Sequence, residues 1–316
     1  AAGIAKKLGI PQLVIGLTIV AMGTSMPEAA VSITSALSGS AGISIGNVVG
    51  SNILNILIIL GITAVLTNVR IQKTTFRYEI PFMIGITIIL MAFGITGNQI
   101  TFLEGILFWL LFLIFLGYLF VISKKGSVQD EEEIKELPLW KGVLGIIIGG
   151  ILVVKGSDFA VEGATEIARY FGMSERFIGL TIVAMGTSMP EAAVSITAAI
   201  QQNAGITIGN VVGSNILNIF IILGITALIT NVKIQKSTIR YEIPFMIFIT
   251  IILMICGMTN MKITFIEGIF LWILFIAYLV YLFVMAKNGE TQEEEKDIPV
   301  WKCLIFILIG GILVVK

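Results

Sequence analysis

The nineteen residues GLTIVAMGTSMPEAAVSIT occupy positions 16–34 and return unchanged at 179–197. They are the densest part of a duplication that holds at an offset of 163 residues, from Ala1 against Ala164 to Gly126 against Gly289. IGNVVGSNILNI at 45–56 recurs at 208–219, and RYEIPFMI at 77–84 recurs at 240–247. Beyond Gly126 the offset becomes 161, and GGILVVK at 149–155 recurs as the last seven residues. Only GSDFAVEG at 156–163 lacks a counterpart. The chain must therefore fold into two large, similar units.

Both units are apolar almost throughout. With 57% hydrophobic residues, 13% charged and a mean hydropathy of +1.01, the chain exceeds what a water-soluble core can hide. Ten apolar runs, at 11–36, 43–66, 80–97, 102–122, 138–160, 174–199, 206–229, 243–260, 263–286 and 298–316, are close to the length a helix needs to cross a bilayer. They are too long and too evenly apolar for barrel strands, and backbone groups in lipid must be satisfied internally. The expected fold is an all-α multi-pass membrane protein with ten transmembrane helices.

Five spans per repeat is an odd number, so the second copy enters the membrane from the opposite side. Two inverted five-helix repeats follow, an arrangement that places a substrate site between repeats near the bilayer midplane. The frame of the chain is unusual. One five-span unit covers 137–289, bounded by acidic linkers at 127–136 and 290–297. Its twin joins the final span, 298–316, to residues 1–126, which hold four spans; that final span matches the start of 137–160. This is the order of a permuted or re-cut chain, with truncation or a numbering choice as alternatives. Counting Lys and Arg by side gives eleven against nine, a bias toward a cytoplasmic N-terminus.

Composition excludes several functions. Twenty basic and twenty acidic residues give no net charge and no pull toward nucleic acid. Histidine is absent, which removes zinc-protease motifs and histidine-based catalysis. Cys256 and Cys303 lie in or beside apolar runs, where small hydrophobes are expected rather than a disulfide. The acidic linkers read as solvated loops in preference to cation sensors. Glu79 and Glu242, following Arg-Tyr at a span start, read as interface anchors, and Glu104 and Glu267 also sit near span ends. No cofactor and no enzymatic activity are expected.

The polar residues that remain fall at span centres. Pro27 has no N–H, so the carbonyl of Gly23 loses its helical donor and the helix breaks, leaving carbonyl oxygens free around residues 22–24. Broken backbone at membrane depth is tolerated where it lines a cavity or packs against protein. Thr24 and Ser25 lie four and three residues before Glu28, with Ser32 four beyond, so hydroxyls and carboxylate share a face. In the next span Asn47, Ser51 and Asn55 recur at intervals of four, and Gly46 and Gly50 form a small-xxx-small pair that admits a neighbouring helix. The second copy repeats this set with Thr187, Ser188, Pro190, Glu191, Ser195, Gly209, Asn210, Gly213, Ser214 and Asn218. Asn52, Asn215, Ser32 and Ser195 suit helix-to-helix hydrogen bonding as well as they suit a site. A carboxylate at a span centre costs at least a few kcal/mol and points to function. Two such carboxylates among neutral oxygens, with no imidazole or thiolate, suit a hard cation such as Ca²⁺ and balance its charge.

AMGTSMPE at 21–28 and 184–191, each followed by GNVVGSNILN, resembles the two α-repeats of the calcium/cation antiporter superfamily, sodium/calcium exchanger type. The resemblance covers nearly the whole chain. It implies a ten-helix inverted-repeat transporter in which Glu28 and Glu191 bind Ca²⁺ with help from Thr24 and Thr187. It also implies sodium sites built from Ser25, Ser188, Ser51 and Ser214 with the backbone carbonyls of Ala21 and Ala184, and it sets Asn55 and Asn218 beside the glutamates. Asn218 stands where some members, including potassium-dependent ones, carry Asp, which argues against a potassium requirement. Members begin with the long span that this chain carries last.

The function expected is secondary antiport of Ca²⁺ against Na⁺ in the cell membrane, by alternating access at a midplane site. A Ca²⁺/H⁺ antiporter on the same glutamates is the nearest alternative, since two carboxylates held close resist being ionised together. A cation channel is more remote.

Overall fold

The computed structural model describes residues 12–37, 41–125 and 178–287, with scattered positions between 140 and 170. The first half opens on a bent pair, α1 (Leu13–Thr24) and α2 (Met26–Leu37), followed by α3 (Gly42–Leu66), α4 (Thr75–Gly97) and α5 (Phe102–Lys124). The second half repeats it as α6 (Leu180–Thr187) and α7 (Met189–Ile200), then α8 (Ala204–Ile229), α9 (Thr238–Thr259) and α10 (Phe265–Met285). Counting each bent pair as one, eight candidate spans lie among the described residues. The runs expected at 298–316 and, for the most part, 138–160 fall outside them, as do both acidic linkers and Cys303.

Burial sorts these helices into core and periphery. The most apolar windows of α3 and α8 are 83% and 78% buried, whereas those of α5 and α10 are each 28% buried. Leu103, Leu110, Leu113, Ile114 and Phe120 on α5 point outward. An apolar outer face is stable only against hydrocarbon, which is as apolar as leucine itself. The molecule is thus a multi-pass membrane protein whose buried polar residues lie mainly on its two central helices and on the bent pairs packed against them.

Helix directions follow from the contacts. Along α2, Glu28 and then Ser32 meet Asn47 and then Ser44 of α3, so these two helices are antiparallel. Along α1, Leu13 and Gly16 lie against Gly209 while Leu17 and Ala21 lie against Gly213, so α1 and α8 run parallel. It follows that α8 runs opposite to α3, its counterpart in the repeat. That opposition is the geometry expected of inverted halves.

Short ladders tie the halves together. β1 (Val69–Arg70) pairs antiparallel with β4 (Lys262–Ile263), and β2 (Gln99–Ile100) with β3 (Val232–Lys233). Because β1 follows α3 and β3 follows α8, one ladder closes each end of the bundle. Helices α4 and α9 begin about five residues earlier than their apolar runs. A wide turn over Thr75–Glu79, and its twin over Thr238–Glu242, draws Arg77, Tyr78, Arg240 and Tyr241 into the helices.

Candidate cation-binding site

Each bent pair breaks at a serine. Ser25, with φ −82° and ψ 7°, separates α1 from α2, and their axes diverge by 45°. Ser188 separates α6 from α7 with a divergence of 50°. The physical cause is the proline two residues on, which leaves the carbonyl of Gly23 or Gly186 without its helical donor. Ordinary helical bonds resume on either side, with Ser25 N donating to Ala21 O and Ala29 N to Ser25 O, each at 3.0 Å.

Glu28 and Glu191 lie in the first turns of α2 and α7, and neither has any solvent exposure. A helix N-terminus is where the aligned peptide dipoles favour negative charge. The donors to these carboxylates cross between the halves. Ser188 Oγ donates to Glu28 Oε1 at 3.1 Å, and Ser25 Oγ donates to Glu191 Oε1 at 2.8 Å. Ser214 Oγ of α8 also reaches Glu191 Oε1, at 3.3 Å. The second oxygen of each glutamate, Oε2, is buried with no hydrogen-bond partner.

The threonines close a second crossing. Thr24 Oγ1 donates to Asn210 Oδ1 and Thr187 Oγ1 to Asn47 Oδ1, both at 3.0 Å. The same hydroxyls lie 3.3 Å from Ala21 O and 3.4 Å from Ala184 O. Ser51 Oγ stands 3.4 Å from Thr187 Oγ1 and 3.5 Å from Ala184 O. Asn55 and Asn218 commit their Nδ2 groups to neighbouring asparagines, and their Oδ1 atoms are buried without partners. All twelve residues expected from the sequence, Ala21 and Ala184 included, are buried, and their hydrogen bonds form three groups, one about Glu28, one about Glu191 and one that joins Asn55 and Asn218 through Asn52 and Asn215.

Four oxygens among these residues are buried without a hydrogen-bond partner, Glu28 Oε2, Glu191 Oε2, Asn55 Oδ1 and Asn218 Oδ1, a state that Glu79 Oε2 shares outside the site. A buried acceptor left unpaired costs about 1–3 kcal/mol, and a carboxylate oxygen more, so native structures rarely keep several together without a ligand to meet them. Among the described residues no three His, Cys, Asp or Glu side chains cluster. The donor set is two carboxylates and neutral oxygens, which suits a hard cation.

Asn47 and Asn210 carry more of the geometry than their place in a polar stripe indicates. Asn47 Nδ2 donates to Glu28 O at 3.2 Å and Ser32 Oγ at 3.0 Å; Asn210 Nδ2 does the same to Glu191 O at 3.2 Å and Ser195 Oγ at 2.9 Å. Each asparagine thus joins a threonine of one half to the glutamate backbone of the other. The four-residue spacing places Asn47 on the site face, but not the residue across the interface that it meets.

Of the peripheral acids, Glu79 and Glu242 depart from expectation, whereas Glu104 and Glu267 lie near span ends as expected. Glu79 and Glu242 are buried, not held at a water interface. Tyr118 Oη donates to Glu79 and Tyr281 Oη to Glu242. Glu104 and Glu267 form the returning half of capping boxes, each accepting from the backbone N–H of the threonine three residues earlier at 2.7 Å. Cys256 is buried, as expected of a small hydrophobe.

Known proteins resemble this chain over most of its length. The family described as "Sodium/calcium exchanger protein" matches residues 1–121 and 141–284. Sodium/calcium exchanger MaX1 of Methanosarcina acetivorans is 33% identical over 325 aligned residues, covering 90% of this chain and 92% of that protein. Putative antiporter CaxA of Alkalimonas amylolytica is 36% identical, again covering 90% of this chain and 92% of the relative. Among solved structures, the sodium-calcium exchanger NCX_Mj soaked with 2.5 mM Na⁺ and 0.1 mM Ca²⁺ superposes with a TM-score of 0.71 at 30% identity. That match covers 88% of this chain and 89% of the other.

Proposed function

From the premise that the chain belongs to the sodium/calcium exchanger family, a family of membrane transporters, we propose that it exchanges Ca²⁺ for Na⁺ by alternating access at Glu28 and Glu191. The observation that supports this reading is the pair of fully buried glutamates, each with one oxygen held by the other half's serine and one oxygen unpaired. Calcium takes about 6–8 oxygens. Glu28 and Glu191 supply its counter-charge, Thr24 and Thr187 supplement them, and Asn55 and Asn218 lie beside them. Sodium uses the hydroxyls of Ser25, Ser188, Ser51 and Ser214 with the carbonyls of Ala21 and Ala184. The same two carboxylates cannot fully serve both loads, so the ions compete, and competition becomes exchange.

Charge compensation also accounts for alternation. A loaded site is neutralised and passes the barrier between the two access states; an empty site with two bare carboxylates in low dielectric does not. In this reading two weakly held spans of the ten-helix inverted repeat slide against an eight-helix core. The test is radiocalcium uptake into vesicles holding the purified chain, driven in parallel by an outward sodium gradient and by a pH gradient. Uptake that follows sodium is expected. Uptake that follows only the proton gradient would assign the same carboxylates to Ca²⁺/H⁺ antiport, and flux without any counter-ion would indicate a channel.

A further inference from the structure

An amide side chain has a donor end and an acceptor end, and only its oxygen can face a cation. Nothing within Asn55 or Asn218 decides which end turns inward. Their neighbours do. Asn55 Nδ2 donates to Asn215 Oδ1 at 2.9 Å, and Asn218 Nδ2 donates to Asn52 Oδ1 at 3.0 Å. Asn52 and Asn215 are themselves fixed, because each gives its Nδ2 to the other's backbone carbonyl at 3.1 Å. All four side chains are buried, with at most 1% exposure. Every amide NH₂ in the lattice has an acceptor, and the atoms left over are the Oδ1 atoms of Asn55 and Asn218.

Simple attachment of α3 to α8 accounts for the reciprocal bonds to backbone. It does not account for a lattice in which each NH₂ group has an acceptor while two amide oxygens are left bare. We infer that Asn52 and Asn215 are positioning residues that set the amide orientation of Asn218 and Asn55, so that carbonyl oxygens and no N–H groups face the transported cation. This rests on the exchange reading above. The lattice makes the two helices interdependent: the residue that orients the amide on α8 sits on α3, and the reverse. A reversed amide would place N–H dipoles against a positive ion, so the orientation acts as a filter for cations.

The experiment uses the full chain in proteoliposomes and reads the calcium concentration for half-maximal uptake. Asn52→Leu removes the acceptor that holds the Asn218 NH₂ group, and the half-maximal concentration is expected to rise roughly 10- to 100-fold, the usual effect of losing a residue that orients a ligand. Asn218→Asp offers an oxygen at both ends, so orientation ceases to matter, and its carboxylate would oppose Asn52 Oδ1; because it also adds a charge and shifts uptake by itself, each effect of Asn52→Leu is read relative to its own background. In that background Asn52→Leu is expected to cost nothing or to improve uptake, a coupling that separates orientation from packing. Equal loss in both backgrounds, whether of uptake or of folded protein, overturns the inference. Normal uptake by the unaltered chain with no effect of Asn52→Leu overturns this inference alone. No calcium uptake by the unaltered chain under any gradient overturns the exchange reading and this inference together.

Discussion

Ser25 Oγ donates to Glu191 Oε1 at 2.8 Å across 166 residues of sequence, and the symmetry-related Ser188 donates to Glu28 at 3.1 Å. Each half therefore supplies the hydroxyl that satisfies the other half's acid. Ser25→Ala and Ser188→Ala each leave a buried carboxylate oxygen short of a donor, at about 1–3 kcal/mol. Among the described residues, Glu191 Oε1 keeps a further donor in Ser214, whereas Ser188 is the one side chain bonded to Glu28 Oε1. Ser188→Ala is consequently expected to lower the thermal unfolding midpoint in detergent more than Ser25→Ala, and both are expected to raise the sodium concentration needed to drive uptake.

The glutamates themselves are expected to tolerate amide replacement as folded protein but not as transporter. Gln preserves the shape of Glu and an acceptor for the crossing serine, while removing the charge that balances the ion. Ligand charge tunes calcium affinity over orders of magnitude, so Glu28→Gln and Glu191→Gln should each lower sodium-driven radiocalcium uptake by at least about 100-fold. Wild-type-like uptake by both variants, measured at equal protein content, would refute the proposed site.

A third expectation separates the acids proposed to bind from those that brace. Glu79 and Glu242 are as buried as the site glutamates, yet each is held by a tyrosine of the following span. Tyr118→Phe withdraws that donor from Glu79, and a stability loss of about 1–3 kcal/mol is expected. The calcium dependence of uptake should stay unchanged, because Tyr118 lies on the lipid-facing helix α5 and outside the polar network. A shift in that dependence without a stability loss would reverse the assignment.

These acids also mark where local sequence stops being informative. Pro27 and Glu28 sit in adjacent positions, so the break and its charge are both readable from one short stretch, and the structure places the break at Ser25. The spacing of Asn47, Ser51 and Asn55 likewise reveals a shared helix face. Glu79 misleads because Arg77 and Tyr78 have the composition of a membrane-interface belt, while Tyr118, the partner that buries it, lies 39 residues further on. Asn52 is less legible still. Its meaning depends on which end of the amide on Asn218 it receives, and spacing along one helix carries no information about a contact made with another.

Packing at the site yields the last expectation. A Cβ at Gly50 would lie 2.8 Å from both Ala184 Cβ and the carbonyl oxygen of Leu180, and one at Gly213 would lie 2.7 Å from Leu17 Cα. Backbone cannot yield to such contacts, so Gly50→Ala must push α3 away from α6. The adjacent Ser51 holds Ala184 O and Thr187 across that same contact, at 3.5 and 3.4 Å, and would be carried out of reach. Gly50→Ala and Gly213→Ala are expected to cost about 1–3 kcal/mol, as overpacking does, and to weaken uptake together with stability. Gly85 on α4 supplies the contrast, since nothing lies within 4 Å of its added Cβ. Relief from glycine's backbone entropy should make Gly85→Ala neutral or stabilising by about 0.5–1 kcal/mol. Thermal unfolding in detergent reads both effects, and a Gly50→Ala chain as stable as the Gly85→Ala chain would show that the helices can separate without cost at the site.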